Sequence, residues 1–154
     1  TIHCYTGSQP TVDAPAADYP RSRAAALSMV PTTTSAARLL DGVLPEIAGR
    51  ITAQAVRVPV ASVSCIDVHL VTEARPSVEE VNDTFRTAAR SAGSVIGATD
   101  RPLVSTDLRA RAESVVMACP ETKLTAGGML RVFGWYDNEW GFSNRMLDMA
   151  VRME

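Results

Sequence analysis

A single imidazole, His3, lies in the opening run Thr1-Ile2-His3-Cys4-Tyr5-Thr6-Gly7-Ser8-Gln9. Imidazole exchanges a proton near neutral pH, so it can act as general base, as general acid, or as the cation that makes a thiol more acidic. Hydroxyls follow at Thr6 and Ser8. Guanidinium groups stand at Arg21 and Arg57 among other positions, and Lys123 is the only lysine in the chain. A guanidinium is a rigid fork of donors that matches phosphate oxygens, which an ammonium does not. The run Thr32-Thr33-Thr34-Ser35 precedes apolar residues at helical spacing, and a helix N-terminus attracts anions through its unpaired N–H groups. Proton transfer and phosphate binding are therefore the chemistries on offer. Each residue also has a plainer use: a lone strand histidine as a structural residue, a Thr/Ser run as a helix cap, and arginine as surface charge.

A nucleophile is harder to find. Cys4 adjoins His3 on a predicted strand, so the two side chains are expected on opposite faces and unable to pair. Cys65 and Cys119 lie in apolar β-prone runs, where burial raises a thiol pKa and leaves it inert. None of the three cysteines is assigned as nucleophile. Their odd number and the lack of any CxxC spacing argue against a disulfide framework or a zinc site, and suit a reducing, cytoplasmic setting. No metal site is expected.

The 154 residues, 46% of them hydrophobic, suffice for one compact domain spanning 1–154. A formal net charge of -2 and scattered arginines supply no basic stripe, which argues against nucleic-acid binding. No apolar run approaches the roughly 20 residues that span a bilayer, so no membrane partner is expected.

These residues must be positioned by a mixed set of elements. Thr1 to Tyr5 reads as a strand, and Gly7 to Pro20 as a long loop punctuated by Pro10, Pro15 and Pro20. Ala24 to Val30 is predicted as a short strand. A helix capped by Thr34 or Ser35 follows, interrupted by Gly42 and Pro45. Strands are predicted over Ile51 to Pro59 and Ser62 to Val71. Ser77-Val78-Glu79-Glu80 is a capping-box signature opening an amphipathic helix to about Arg90. Short β-prone runs lie at Leu103 to Ser105, Ser114 to Cys119 and Met129 to Tyr136. A final helix carries Phe142, Met146, Met149 and Met153 on one face, read as core packing, and Trp135 and Trp140 are read as core anchors. Without regular βαβ alternation, the fold class is α+β, a mostly antiparallel or mixed sheet with helices on one face. Gly127-Gly128 reads as a turn, and no G-x-G-x-x-G follows a strand, so no dinucleotide-binding fold is expected within these residues.

Three stretches together carry a family likeness. The run Thr1-Ile2-His3-Cys4-Tyr5-Thr6, Arg57 ahead of Val58-Pro59, and Trp135-Tyr136-Asp137-Asn138-Glu139-Trp140-Gly141-Phe142-Ser143-Asn144-Arg145 resemble the C-terminal catalytic domain of glyceraldehyde-3-phosphate dehydrogenases. The likeness runs nearly the whole chain. It implies a catalytic fragment of an NAD(P)-dependent phosphorylating enzyme whose N-terminal dinucleotide-binding domain is absent from these residues. The nucleophilic cysteine, in a Ser-Cys-Thr-Thr-Asn-type motif, would fall upstream of Thr1. The chain alone is then expected to be inactive and to hold NAD or NADP only weakly.

The resemblance also implies residue roles. His3 would be the catalytic base. Thr6, Arg21 and Arg57 would hold the phosphate of the phosphorylated aldehyde substrate, and Thr34 and Ser35 the inorganic phosphate, with Ser35 replacing a glycine usual in the family. Asn138 would hold the nicotinamide carboxamide, with Phe142 beside the ring in place of a common tyrosine. That phenylalanine, with the ending Gly-Phe-x-Asn-Arg-Met-Leu-Asp, also resembles the related erythrose-4-phosphate dehydrogenases, while Thr6 and the Thr11 to Asp13 run resemble the glyceraldehyde-3-phosphate branch. The loop from Gly7 to Ser28 implies a homotetramer in the full-length protein. A non-catalytic oligomerisation or binding domain is the alternative of a different kind.

Overall fold

The structure, a computed structural model, describes residues 1–16, 18–91 and 93–153. The chain divides into two compact units, Thr1–Ala61 and Ser62–Glu154.

The first unit is organised around three short strands, β1 (Ile2–Cys4), β2 (Val30–Thr32) and β3 (Ala55–Val58). β3 is central: β1 pairs with it in parallel, His3 opposite Arg57, and β2 pairs antiparallel on its other side. β3 is shorter than the predicted Ile51 to Pro59, because a strand persists only where a neighbour supplies backbone partners, and both neighbours have three residues. The strand predicted over Ala24 to Val30 instead begins at Val30. The N–H of Ala24 is captured by the Asp13 carboxylate at 2.8 Å and that of Ala25 by the Pro10 carbonyl at 3.0 Å, so neither can enter a ladder. Pro31, which has no N–H, is accommodated because β2 pairs with only one strand of this unit. The long loop is tied to itself by these bonds and by the Arg23–Asp13 ion pair at 3.0 Å. α1 (Ala36–Val43) runs through Gly42 and stops ahead of Pro45, where a 3₁₀ turn, Pro45–Ile47, takes over.

The second unit holds β4 (Ser64–Val71), α2 (Val78–Arg90), β5 (Ile96–Thr99), β6 (Val115–Ala118), β7 (Lys123–Leu124), β8 (Met129–Tyr136) and α3 (Asn138–Arg152). β8 pairs antiparallel with β4 along its whole length, with β6 on its other edge and with β7, while β5 lies parallel to β6. With strands of both senses and three α-helices among the described residues, the fold is α+β with mixed pairing, as expected. The predicted Leu103 to Ser105 run forms no strand. A 3₁₀ turn begins at Ser105 and buries Leu108.

Alternation along β8 divides the core. Leu130 and Val132 join Met117 and the α2 residues Val81 and Phe85 on one face. Phe133 joins Cys65 and Ala118 on the other, with Trp135 alongside, its ring edge-on to Phe133 at 4.9 Å. The α2 capping box forms as read: Ser77 Oγ accepts the Glu80 N–H, and the Glu80 carboxylate accepts the Ser77 N–H at 2.7 Å. α3 corrects the reading of its apolar stripe. Phe142, Met146, Met149 and Met153 are 65%, 59%, 57% and 83% exposed, and Gly141 is its one buried residue. Trp140 is likewise half exposed and anchors no core, whereas Trp135 packs as expected.

Gly134 is where β8 passes closest to its neighbours. A Cβ there would meet Val115 Cγ2 at 2.7 Å and Met117 Sδ at 3.1 Å. Gly134→Ala is therefore expected to destabilise the second unit by about 1–3 kcal/mol through overpacking, read from urea unfolding. An unchanged midpoint would show that the sheet can absorb the methyl group.

Candidate functional site

The parallel pairing of β1 with β3 makes His3 and Arg57 register partners, so both side chains leave the sheet on the same side. The His3 ring lies 2.7 Å from the Cys4 carbonyl oxygen through Nδ1. A carbonyl can only accept, which places a hydrogen on Nδ1 and makes Nε2 the nitrogen that titrates. The expectation that Cys4 and His3 cannot pair is overturned: Cys4 Sγ lies 3.7 Å from His3 Nδ1. Both residues lie in β1, and the contact is made by the ring nitrogen that also meets the Cys4 carbonyl oxygen. His3 titrates above its ordinary value of 6.5, chiefly through the hydrogen bond to the Cys4 side chain, against the lowering effects of partial burial and the nearby Arg57 charge. All three cysteines are buried and reduced. Burial pushes the Cys119 thiol pKa up, as expected of a core cysteine.

Beyond β1 the chain turns back, closed by the Gln9 N–H donating to the Thr6 carbonyl at 3.0 Å. This turn presents a hydroxyl pair, Thr6 Oγ1 and Ser8 Oγ, 2.9 Å apart. Arg57 reaches it from β3: Nη1 donates to Ser8 Oγ at 3.0 Å and to Gln9 Oε1 at 3.3 Å. No carboxylate pairs with Arg57 among the described residues, whereas Arg21, Arg23, Arg86, Arg111, Arg131 and Arg145 each have one. Among the described residues the Arg57 guanidinium is held by neutral oxygens and has no anionic partner.

Arg21 lies in a 3₁₀ turn, Pro20–Ser22, and donates from Nε to Asp18 at 2.8 Å. It lines a cavity of about 540 Å³ with Asp18, Thr32, Thr34, Gln54 and Val56. The structure thus brings Arg21 beside Thr34, while Thr6 and Arg57 meet through the Ser8 hydroxyl. Thr34 Oγ1 accepts the Ala36 N–H at 3.2 Å, so Thr34 helps cap α1, and Ser35, at the cap position itself, makes no side-chain cap bond.

Asn138 and Phe142 belong to the second unit. Asn138 is the exposed first residue of α3, and Phe142, one turn on, is also exposed. An exposed carboxamide one turn from an aromatic face has the donor, acceptor and apolar surface that a nicotinamide ring requires. Asp137 sets this helix start. Its carboxylate is buried and accepts the Trp140 N–H at 3.3 Å and the Ala110 N–H at 2.9 Å, and Ala110 has φ 57°. Among the described residues no cluster of His, Cys, Asp and Glu could hold a metal ion.

Gln9, Asp18 and Asp137 take part in this framework although the sequence reading gave them no role. Asp137 was findable, since an aspartate ahead of a helix is a capping signal. For Gln9 and Asp18 the contacts are tertiary or lie within an irregular loop, and no local pattern marks them.

The profile of the family described as glyceraldehyde 3-phosphate dehydrogenase, C-terminal domain, matches residues 1–138. The chain is 47% identical over 154 residues to a glyceraldehyde-3-phosphate dehydrogenase of Xanthobacter flavus, covering 99% of this chain and 46% of the relative. The same figures hold for a glyceraldehyde-3-phosphate dehydrogenase of Cereibacter sphaeroides. For glyceraldehyde-3-phosphate dehydrogenase 2 of Streptomyces arenae the identity is 45% over 152 residues, with 98% and 45% covered. The chain thus spans about half the length of the curated relatives it matches.

The raised His3 pKa has a direct check in the ¹H–¹⁵N NMR titration of its ring. The folded value is expected above 6.5, lower in Cys4→Ala, which removes the largest cause, and higher in Arg57→Met, which removes a nearby positive charge. Because folding raises this pKa, protonation of His3 favours the folded state below pH 6.5, and that contribution fades as pH rises through the folded-state value. A wild-type value at or below the ordinary one would refute the assignment.

Proposed function

Since this chain belongs to the glyceraldehyde-3-phosphate dehydrogenase C-terminal domain family, we propose that it is the catalytic half of an NAD(P)-dependent phosphorylating dehydrogenase. The enzyme would convert glyceraldehyde 3-phosphate and inorganic phosphate to an acyl phosphate in the cytoplasm, as a step of glycolysis. The observation that supports this reading is the register of His3 with Arg57 across β1 and β3, a titratable imidazole beside a guanidinium that no carboxylate pairs with among the described residues.

In this reading the substrate aldehyde is attacked by a thiolate supplied from outside these residues, giving a thiohemiacetal. Protonated His3 keeps the attacking thiol acidic beforehand and gives its proton to the alkoxide as the thiohemiacetal forms; Nε2 then takes the hydroxyl proton back as the carbonyl re-forms. The chemistry a bound nicotinamide dinucleotide would supply is that of a hydride acceptor. Asn138 would hold the carboxamide of that ring and Phe142 would wall one side. Arg57, with the Thr6 and Ser8 hydroxyls, would fix the substrate phosphate through charge-assisted hydrogen bonds. Thr34 and Ser35 would hold inorganic phosphate, which attacks the thioester and releases the thiolate, and the opening of α1 adds a partial positive charge there. Arg21, which the resemblance gives to the substrate phosphate with Thr6 and Arg57, instead lines the cavity of Thr34 and is ion-paired to Asp18. The exposed apolar side chains of the Gly7–Ser28 loop and its continuation, Val12, Tyr19, Leu27 and Met29, support a place for that loop against a neighbouring subunit of a homotetramer.

A second reading, a dehydrogenase for erythrose 4-phosphate, has Phe142 in its favour, because a phenylalanine leaves the ring wall without a hydroxyl. The ratio of kcat/KM for the two aldehydes in the full-length enzyme separates these readings.

Two outcomes test the main proposal. Titration with inorganic phosphate is expected to shift the backbone amides of Thr6, Ser8 and Arg57 and those of Thr34 and Ser35, and no shift in either set sinks the phosphate reading. The chain by itself is expected to reduce no NAD or NADP with glyceraldehyde 3-phosphate, and iodoacetamide is expected to leave its buried cysteines unmodified. Turnover by the chain alone would place the nucleophile among Cys4, Cys65 and Cys119.

A further inference from the structure

Gln9 makes an unusual contribution to the first unit. It is 8% exposed, its N–H closes the turn onto Thr6, and its side-chain oxygen accepts from Arg57 Nη1 at 3.3 Å. The amide can lie only this way round, because the flipped form would aim N–H groups at a guanidinium that has only donors. Among the described residues its nitrogen, Nε2, is then buried with no hydrogen-bond partner. A buried donor without a partner opposes folding, so a side chain retained in that condition calls for a reason beyond packing.

The reason lies in the charge of its partner. A guanidinium that must receive a dianion has to be held still without being neutralised. A glutamate at position 9 would orient Arg57 at least as well, yet it would form an ion pair and compete directly with the phosphate. A methionine of similar length would leave Nη1 without that acceptor. Only a neutral acceptor fixes the fork and leaves its charge available, and Gln9 Oε1 and Ser8 Oγ are both of that kind. We infer that Gln9 is a positioning residue for the anion site, orienting Arg57 toward a phosphate monoester while keeping it unpaired. This rests on the reading of Arg57 as a phosphate ligand.

The test compares the wild-type chain with Gln9→Glu, Gln9→Met and Arg57→Met, measuring calorimetric affinity for glycerol 3-phosphate and inorganic phosphate together with urea stability. Gln9→Glu is expected to bind glycerol 3-phosphate about tenfold or more weakly, through loss of a charge-assisted contact, with the folded state intact. Gln9→Met removes the unpartnered amide, so it is expected to be at least as stable as wild type while binding more weakly. That split distinguishes positioning from a structural role, under which Gln9→Met would lose stability and keep its affinity when folded. If wild type binds, Arg57→Met does not, and Gln9→Glu binds as wild type does, the role of Gln9 is refuted while the phosphate reading stands. If the wild-type chain binds neither probe, both fall.

Discussion

The parallel pairing of β1 with β3 is the constraint on which the site depends. Three backbone register pairs set His3 level with Arg57 although 53 residues separate them in the chain, and the same pairing brings the turn after β1 over the Arg57 side chain. A slip of one residue would send His3 and Arg57 to opposite faces of the sheet. The segment that carries Thr34 follows β2, which pairs with the same strand, and Arg21 lines a cavity with Val56 of that strand. Backbone hydrogen bonds thus do the coarse positioning. Short polar contacts from Ser8, Gln9 and Cys4 do the fine positioning.

Charge partnering distinguishes the half-buried Arg57 from the ion-paired arginines of the second unit. Arg86 is ringed by Glu79, Asp83 and Asp100, and Arg131 by Asp67 and Glu121 while lying over the Phe133 ring. These pairs tie elements of the second unit together, and their guanidinium charge is compensated. Arg57 is held by neutral oxygens instead. An uncompensated cation in a partly buried place has a free-energy cost unless an anion arrives, which is consistent with the phosphate role that the family resemblance gives Arg57.

In the second unit the polar constraint is Asp137, whose carboxylate fastens the start of α3 to the left-handed residue Ala110. The helix beyond it keeps its apolar side chains exposed, and the family profile ends at its first residue, Asn138. Amphipathic patterning records that a face is suited to burial. It does not record what covers it, and this is why the Met stripe was misread as core of this chain.

Much was legible in the residues themselves. The α2 capping box and the break at Pro45 each follow from contacts within a few residues, so sequence alone determined them. The family likeness was legible too, since its motifs are contiguous runs. What only the tertiary structure decided are the matters that depend on distant partners: that β3 is four residues long, that Ala24 and Ala25 give their N–H groups to a loop, that Cys4 reaches His3, that Arg21 sits with Thr34, and that Gln9 grips Arg57. Local propensity is a property of neighbours along the chain, whereas an uncompensated charge or a shared cavity exists only once segments far apart in sequence have been brought together.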